Sequence, residues 1–277
     1  MEIGICSYSF HRLLEAGKQD VFKYIVDCKA LGATQLDPWN AHLAPVQASA
    51  EAWKAEAHPE QVQLSTEEEA YLDRVKEAAD DAGLPFGCVA VDGAHMYEPT
   101  PEARRANRAY AYKWLEIAGR LGARQLRIDA GGTADMPDDM FQIIVAGYED
   151  LIARARDKGI EIVMENHWGS TRVPENVVKI LEGVDGLGLL FDTNNWAEGA
   201  KEKGWRMCAE YASACHIKTF SFDEDGNEQS ADIPRAMHIL MDAGYDGCWG
   251  IESVPREIDE YEGVRRTIAL IKRVVGE

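Results

Sequence analysis

One arrangement of apolar and polar residues recurs along the chain. A helix-like stretch ends at glycine, and a short apolar run follows it and stops at a carboxylate. Glycine supplies the left-handed residue that ends many helices, and short runs that are apolar on both faces are typical of buried parallel strands. The carboxylates that end these runs are Asp37, Asp92, Asp129, Glu165, Asp192 and Glu252. Each repeat therefore predicts a helix followed by a buried strand.

Two further apolar runs complete the set of predicted strands. Ile3–Cys6 opens the chain, and Cys215–Lys218 precedes the last repeat. Eight strands that alternate with helices predict a single (β/α)8 TIM barrel over residues 1–277, close to the roughly 250 residues of such barrels. The alternative is a doubly wound sheet, but the chain has neither a GxGxxG motif nor a P-loop.

Local patterns also mark helix starts and one irregular stretch. Ser65 and Glu68 have the spacing of a capping box, and Pro101 is placed to begin a later helix. The longest weakly patterned stretch, from Asn40 to Leu64, follows the second predicted strand. We expect a loop there that walls the pocket or acts as a lid.

Composition and charge restrict the class of partner. The chain has 277 residues, with 29 Lys and Arg against 48 Asp and Glu, and a net charge of −19. Such a surplus of acid repels phosphate, so we expect no nucleic-acid or membrane partner. No apolar run is long enough to span a membrane, and the N-terminus does not resemble a secretory signal. The six scattered cysteines form no CxxC pair, which favours a reducing cytoplasm.

The last four predicted strands bring candidate metal ligands to one place, because all strands of a parallel barrel end at the same mouth. These residues are Glu165, Asp192, His216 and Glu252. A single acid at such a position often caps a helix or pairs with lysine, but converging carboxylates repel one another unless a cation lies between them. Three carboxylates and one imidazole suit Mn²⁺, Mg²⁺, Co²⁺ or Fe²⁺ better than a thiol-rich zinc site. We predict one divalent ion there, with Mn²⁺ as the expected metal.

These segments resemble a known family, the xylose-isomerase-like barrels. The family includes sugar and sugar-phosphate isomerases and epimerases, with endonuclease IV as a distant branch. The resemblance covers essentially the whole chain, and it is carried by Ile162–His167, Leu189–Asp192, His216–Lys218, Gly250–Glu252 and the loop Phe222–Glu228. It implies a barrel with a metal at its mouth, but it does not select one activity, because such folds host many reactions.

The resemblance also implies a mechanism. The metal would polarise a sugar carbonyl, and Glu165 and Glu252 would move protons on opposite sides of the sugar. The less polar sequence around Glu252 predicts that it has the higher pKa of the two. Many epimerases of the family carry histidine three residues after the strand-six aspartate, where this chain has Asn195. Because asparagine cannot transfer a proton at neutral pH, this difference leaves the proton route open.

A second group of residues is expected to contact the substrate. Lys218 shares the inward face of its strand with His216, and we interpret it as a donor to the substrate, with a salt bridge as the alternative. Aromatic faces in the loops after the strands can stack on the C–H faces of a sugar. The predicted substrate-contacting residues are Lys218, His167, Asn195, Trp39, Trp168 and Trp196.

Several functions are compatible with these patterns. The first is a metal-dependent isomerase or epimerase of a small sugar or keto sugar, and the second is a lyase or dehydratase of a keto sugar or 3-keto-glycoside. A DNA-repair endonuclease needs a basic groove, and a non-catalytic sugar-binding barrel would be expected to lose ligands. A free sugar is favoured over a sugar phosphate, because the last two loops lack an arginine cluster. The oligomeric state stays open, including a homo-oligomer.

Overall fold

Eight parallel strands organise the computed structural model, which describes residues 1–276. They are β1 (Ile3–Cys6), β2 (Gln35–Asp37), β3 (Cys88–Tyr97), β4 (Gln125–Gly131), β5 (Glu161–Glu165), β6 (Gly188–Asp192), β7 (Ala212–Thr219) and β8 (Trp249–Ser253). The sheet order is β2-β1-β8-β7-β6-β5-β4-β3, and parallel bridges from Leu36 to Phe86 and from Trp39 to Ala90 join its two edges. The (β/α)8 TIM barrel that the sequence predicts is confirmed.

Helices cover the outside of the barrel. They are α1 (His11–Glu15), α2 (Val21–Leu31), α3 (Ala44–Trp53), α4 (Thr66–Ala82), α5 (Pro101–Leu121), α6 (Asp138–Ala155), α7 (Pro174–Gly183), α8 (Lys201–Cys208), α9 (Ile233–Asp242) and α10 (Glu260–Val275). The predicted capping box is present, since Ser65 and Glu68 exchange side-chain to backbone hydrogen bonds. Glycines in the left-handed conformation end α2, α4 and α5, as the repeats predict.

Tyrosine hydroxyls tie helices to the strands that they cover. The buried hydroxyl of Tyr24 in α2 donates to the carbonyl of Ile5 at 2.5 Å, and that of Tyr148 in α6 donates to the carbonyl of Ile128 at 2.8 Å. Both rings are fully buried in the apolar layer between barrel and helices. Each hydrogen bond satisfies a polar group that would otherwise be costly to bury. The two bonds therefore fix α2 against β1 and α6 against β4.

Two expectations about the chain's course are wrong in detail. Residues 40–64 are not an irregular lid, because they contain α3, which packs against α5. Alanine-rich sequence over Ala44–Trp53 favours this helix even though its apolar periodicity is weak. The third strand also does not stop at Asp92, since β3 resumes its pairing with β4 at His95 after a shift in register.

Asp37 does not face the mouth of the barrel, contrary to the prediction that the strand-terminal carboxylates meet there. Its carboxylate points into the barrel interior, where it accepts hydrogen bonds from the Cys88 N–H and the Gln35 side chain, both at 2.9 Å. It lines a separate cavity of about 210 Å³ toward the amino ends of the strands. Room for it exists because Gly4 and Gly87 have no side chain, and a Cβ on either would collide with the carboxylate.

Candidate metal centre and active site

The last four strands bring four potential metal ligands together. Glu165 ends β5 and Asp192 ends β6, while His216 lies in β7 and Glu252 in β8. All four side chains are buried, and one potential ligand atom of each lies within 4.8 Å of the others. The structure therefore brings together the residues that the sequence places at the mouth. We refer to these four residues as the quartet.

The atoms of the quartet fit a divalent cation. Nδ1 of His216 lies 3.1 Å from Oε2 of Glu252 and 3.5 Å from Oε1 of Glu165, yet it forms no hydrogen bond. Oδ2 of Asp192 is also buried without a hydrogen-bond partner. Since buried polar atoms are nearly always paired, such atoms facing one another mark a place for a cation. Three carboxylate oxygens and one imidazole nitrogen are suitable donors for it.

Hydrogen bonds orient Asp192 within the quartet. Its Oδ1 accepts from the backbone N–H groups of Asn194 and Asn195 at 2.6 and 2.8 Å, which leaves Oδ2 for a cation. The side chain of Asn166 bridges the backbone of Asp192, accepting from its N–H at 2.8 Å and donating to its carbonyl at 2.9 Å. Asn166 is a residue that can hydrogen-bond near a carboxylate, but its place after Glu165 does not reveal that it reaches the backbone of the neighbouring strand.

Burial and neighbouring charges shift the pKa values of the quartet in opposite directions. Burial raises the pKa of Glu165, but the cationic side chains around it lower that pKa to about 2. Burial raises the pKa of Asp192 to about 7, with Glu252 and Glu165 adding to the rise and Lys218 opposing it. Glu165 is therefore held as an anion, and Asp192 is the carboxyl of the quartet that a proton occupies most readily near neutrality.

Lys218 controls the charge state of Glu252. Its Nζ lies 2.8 Å from Oε1 of Glu252 and 3.9 Å from Oδ2 of Asp192. Burial raises the pKa of Glu252, but Lys218 and His216 lower it well below its usual value. The less polar setting from which Glu252 was predicted to have the higher pKa of the two glutamates is absent, because the residues that follow it in sequence do not report the ammonium group on the adjacent strand.

Metal affinity is expected to rise as the pH increases toward about 7, because a proton competes for Asp192, whose pKa is about 7. Release of that proton on binding strengthens affinity roughly tenfold per pH unit below pH about 7. A proton on His216 adds to the slope, because burial lowers the pKa of His216 but Cys6, Glu165 and Glu252 raise it well above its usual value. The sign for stability is opposite, since a raised carboxyl pKa stabilises the protonated fold, and stability without metal falls as the pH rises through about 7. Calorimetric titration with Mn²⁺ at several pH values would measure the slope. An affinity for Mn²⁺ that does not change with pH would contradict this account. The affinity of Asp192→Asn should depend on pH less steeply than that of the wild type.

A cavity of about 270 Å³ opens beside the quartet at the carboxyl ends of the strands. Its polar lining residues are His216, Glu252, Lys218, Asn195, His167, Arg127 and Asp92. Its aromatic lining residues are Tyr8, Trp39, Trp168 and Phe220. A mixed lining of this kind suits a small polar molecule with an apolar face, such as a sugar. Of the quartet, His216 and Glu252 line this cavity, whereas Glu165 and Asp192 do not.

Most of the side chains predicted to contact substrate line this cavity. The indole N–H of Trp39 donates to Oδ2 of Asp92 at 2.8 Å, which fixes its ring in the wall. Trp168 packs on His167 with ring centroids 4.4 Å apart, yet it remains 57% exposed. Asn195 donates to Oε1 of Glu165 at 3.2 Å, so it also supports a member of the quartet. Lys218 combines both interpretations, since it lines the cavity and pairs with carboxylates.

Trp196 lies outside the cavity, and its prediction as a substrate contact is wrong. The side chain is only 3% exposed and packs edge-on against Phe191, with ring centroids 6.0 Å apart. Its ring also covers Gly204 in α8 so closely that a Cβ there would collide with it. A loop position after a strand is compatible with either orientation, and in this case burial against α8 determines it.

Arg127 also lines the cavity, although no motif in the sequence marks it. Arg127 lies two residues before Asp129 in β4, so the two side chains share the inward face of the strand. The same alternation that indicated Lys218 could have found it. Tyr8 and Phe220 were missed as well, because they follow β1 and β7 in segments without a pattern that indicates direction.

The chain matches the family model of the xylose isomerase-like TIM barrels over residues 25–274. It therefore belongs to that family, and the resemblance noted in the sequence is confirmed. Comparison with curated proteins gives no match. Within residues 1–276, no helix combines the length and apolar character that crossing a membrane requires.

Solved structures share this fold over nearly the whole chain. The IOLI protein with a bound zinc atom is 14% identical, with a TM-score of 0.75 and coverage of 100% of this chain and 98% of that one. D-psicose 3-epimerase from Clostridium cellulolyticum H10, solved with D-tagatose, is 16% identical, with a TM-score of 0.71 and 99% of both chains covered. The probable 3-DHS dehydratase AsbF from Bacillus anthracis is 13% identical, with a TM-score of 0.67 and coverage of 98% and 99%.

Proposed function

We propose that this protein is a divalent-metal-dependent isomerase or epimerase of a small sugar or keto sugar. The observation that carries the proposal is the convergence of the quartet on one buried point beside a cavity with a polar base and aromatic walls. Similarity to a D-psicose 3-epimerase supports chemistry of this class. Mn²⁺ remains the expected metal, because carboxylate and imidazole donors suit it.

The quartet would hold the ion through its unpaired atoms. When bound, the ion would polarise a substrate carbonyl and increase the acidity of the neighbouring C–H group. Glu252 lines the cavity, so its carboxylate is placed to accept that proton, and the adjacent Lys218 can donate to a substrate oxygen. Glu165 lies behind the cavity wall with Oε2 toward Arg127, and we assign it the role of ligand rather than that of a mobile base.

His167 is the second proton carrier in this proposal. Its Nδ1 lies 3.2 Å from Oδ2 of Asp129, and its ring lines the cavity, so Nε2 remains for the substrate. Burial lowers the pKa of His167, but Glu165 and Asp129 raise it above its usual value. A histidine oriented by a carboxylate can hold and return a proton. His167 thus supplies the proton transfer that Asn195 cannot.

A dehydratase or lyase of a keto sugar or 3-keto-glycoside is the second candidate. Lys218 and His167 lie in the cavity with Glu252, and either could protonate a departing oxygen after Glu252 removes a proton. The fold similarity to a probable 3-DHS dehydratase is compatible with this reaction. The two candidates share their first step and differ in whether a substituent leaves.

Product analysis in D₂O would test the proposal and separate the candidates. The protein would be incubated with Mn²⁺ and a panel of free ketoses and 3-keto-glycosides, and the products followed by NMR. Isomerisation or epimerisation predicts deuterium at one carbon with the carbon skeleton and all substituents retained. Elimination predicts loss of water or of the aglycone. Absence of exchange and product across the panel, with metal bound, would contradict the proposal.

Trp168→Ala is expected to raise KM roughly two- to tenfold with little change in kcat, because stacking on an aromatic ring contributes about 0.5–1.5 kcal/mol. The ring is 57% exposed at the cavity mouth and carries no proton itself, although it packs on His167, so its main contribution should be uniform binding. Steady-state kinetics on the best substrate of the panel would measure both constants. Trp168→Phe retains an aromatic face and should stay near wild type, whereas equal KM values for all three proteins would remove Trp168 from the substrate site.

The cavity favours a substrate without a phosphate group. The cations that line the cavity, Arg127, Lys218 and His167, are each paired with a carboxylate, which supports a free sugar over a sugar phosphate. A clear rate preference for phosphorylated ketoses would overturn this. A cytoplasmic location stays a prediction from the composition.

A further inference from the structure

A buried guanidinium lies directly beside the quartet. Arg127 is 3% exposed, and its Nη1 lies 2.9 Å from Oδ1 of Asp92 and 3.0 Å from Oδ2 of Asp129. Its Nε lies 3.1 Å from Oε2 of Glu165. Three carboxylates thus surround one cation, which offsets the repulsion among three clustered negative charges.

The contact between Arg127 and Glu165 is electrostatic rather than a hydrogen bond. Nε of Arg127 and Oε2 of Glu165 are both buried, and neither has a hydrogen-bond partner. The guanidinium therefore interacts with this oxygen through its charge, as a metal ion would, and not through an aligned hydrogen bond. Glu165 has the quartet on its Oε1 side and Arg127 on its Oε2 side.

The groups around Arg127 have the composition of a metal site. Asp92, Asp129 and His167 each offer a ligand atom within 4.8 Å of the others. Nδ1 of His167 also lies 3.8 Å from Oε2 of Glu165. Together these residues repeat the quartet's set of three carboxylates and one imidazole, and Glu165 belongs to both sets. In the quartet, Nδ1 of His216 and Oδ2 of Asp192 have no hydrogen-bond partner, whereas in the other set the guanidinium already lies among the donor atoms.

We propose that Arg127 takes the place of a second divalent cation and thereby keeps the metal centre mononuclear. The guanidinium stays charged at any physiological pH and is covalently attached, so it cannot be exchanged for an ion. Its charge and volume exclude a second cation from Asp92, Asp129 and His167. It also holds the shared carboxylate of Glu165 in one orientation, which makes Arg127 a positioning residue. The inference rests on the proposed metal centre.

Counting bound metal tests the inference without any measurement of activity. Wild-type protein dialysed against excess Mn²⁺ is expected to retain one ion per chain by elemental analysis. Arg127→Ser removes the cation and opens its space, and it is expected to retain two. A purely structural role for Arg127 would lower the metal content or leave it unchanged, and it would not raise it. Two ions in the wild type, or no more ions in folded Arg127→Ser than in the wild type, would overturn the inference.

Control variants separate charge from other effects. Arg127→Lys keeps a cation and should retain one ion, and Arg124→Ser, which removes an arginine near the opposite end of the barrel, should do the same. Adding Asp129→Asn to Arg127→Ser should return the count from two to one. If Arg127→Ser does not fold even with Mn²⁺, Arg127→Gln replaces it. The same increase in bound Mn²⁺ over the wild type is expected, and no increase would contradict the inference.

The outcome also distinguishes this inference from the proposed function. If the wild type binds no divalent ion, the proposed metal chemistry fails. The number of ions retained by Arg127→Ser, compared with the wild type, still tests the role of Arg127 in that case, and the variant is expected to retain one more ion per chain. An unchanged count in a wild type that does bind one ion leaves the proposed function intact and removes only the role assigned to Arg127.

Discussion

Asp192→Ala is expected to abolish both metal binding and turnover. Asp192 is fully buried at the end of β6, and its Oδ2 is one of the unpaired atoms that face the centre of the quartet. Loss of a residue that hydrogen-bonds a metal ligand lowers metal affinity by about 10- to 100-fold, and loss of a ligand itself should lower it by more than about 100-fold. The fold should persist, because the variant also removes a carboxyl that is costly to bury in its charged form.

Elemental analysis and circular dichroism of purified Asp192→Ala would check this expectation. Asp81→Ala is the matched control, since Asp81 is an exposed acid near the end of α4, and it should leave metal content and rate unchanged. Wild-type metal content in folded Asp192→Ala would show that the ion, if present, binds elsewhere. The quartet would then not be the metal centre.

Glu252→Gln is expected to retain metal yet to lose roughly 100- to 10,000-fold in the rate of substrate proton exchange, the range for removal of a general base. Glutamine keeps a coordinating oxygen and nearly the same volume, but it cannot accept the proton. Glu252 is the carboxylate of the quartet that lines the cavity, so no other member can replace it in this role. Its loss should therefore affect exchange more than metal affinity.

Solvent-deuterium exchange, measured by NMR alongside metal content, would separate these effects. Glu257→Gln is the control, because Glu257 is an exposed acid in the loop that follows β8. His167→Asn should also slow the proton transfer that is assigned to His167, while retaining metal. Exchange at the wild-type rate in Glu252→Gln would make Glu252 a ligand only, and the proton carrier would have to be sought among the other cavity residues.

The fold and the quartet could be predicted because both depend on local pattern. Most of the predicted strands are marked by the change from an apolar run to a carboxylate, and strand order in a barrel then places the ends of consecutive strands side by side. Lys218 followed from alternation with His216 along one strand. These inferences need only periodicity and topology, and no knowledge of how side chains pack.

The remainder of the site depends on contacts between segments that are distant in sequence. Trp196 and Trp168 occupy similar loop positions, but one packs against α8 and the other faces the cavity. Asp37 turns into the barrel because two glycines on other segments leave it room. The low pKa of Glu252 comes from an ammonium group on β7. Neither composition nor spacing around a residue reports these partners.

Arg127 could be predicted from the sequence only in part. Its inward direction follows from alternation with Asp129, but its effect depends on three carboxylates that come from three strands. A basic residue inside an apolar run usually indicates a salt bridge, and that interpretation would have been correct without showing which carboxylates it neutralises. The shared position of Glu165, between the guanidinium and the quartet, becomes visible only in three dimensions.

The most direct test of the account is a crystal structure of the protein soaked in Mn²⁺, with an anomalous difference map. The account predicts a single peak bound by Glu165, Asp192, His216 and Glu252, at roughly 2.0–2.2 Å from their oxygen and nitrogen atoms. It also predicts no peak among Asp92, Asp129 and His167 while Arg127 is present. A peak at any other position, or none in a crystal saturated with Mn²⁺, would contradict the account.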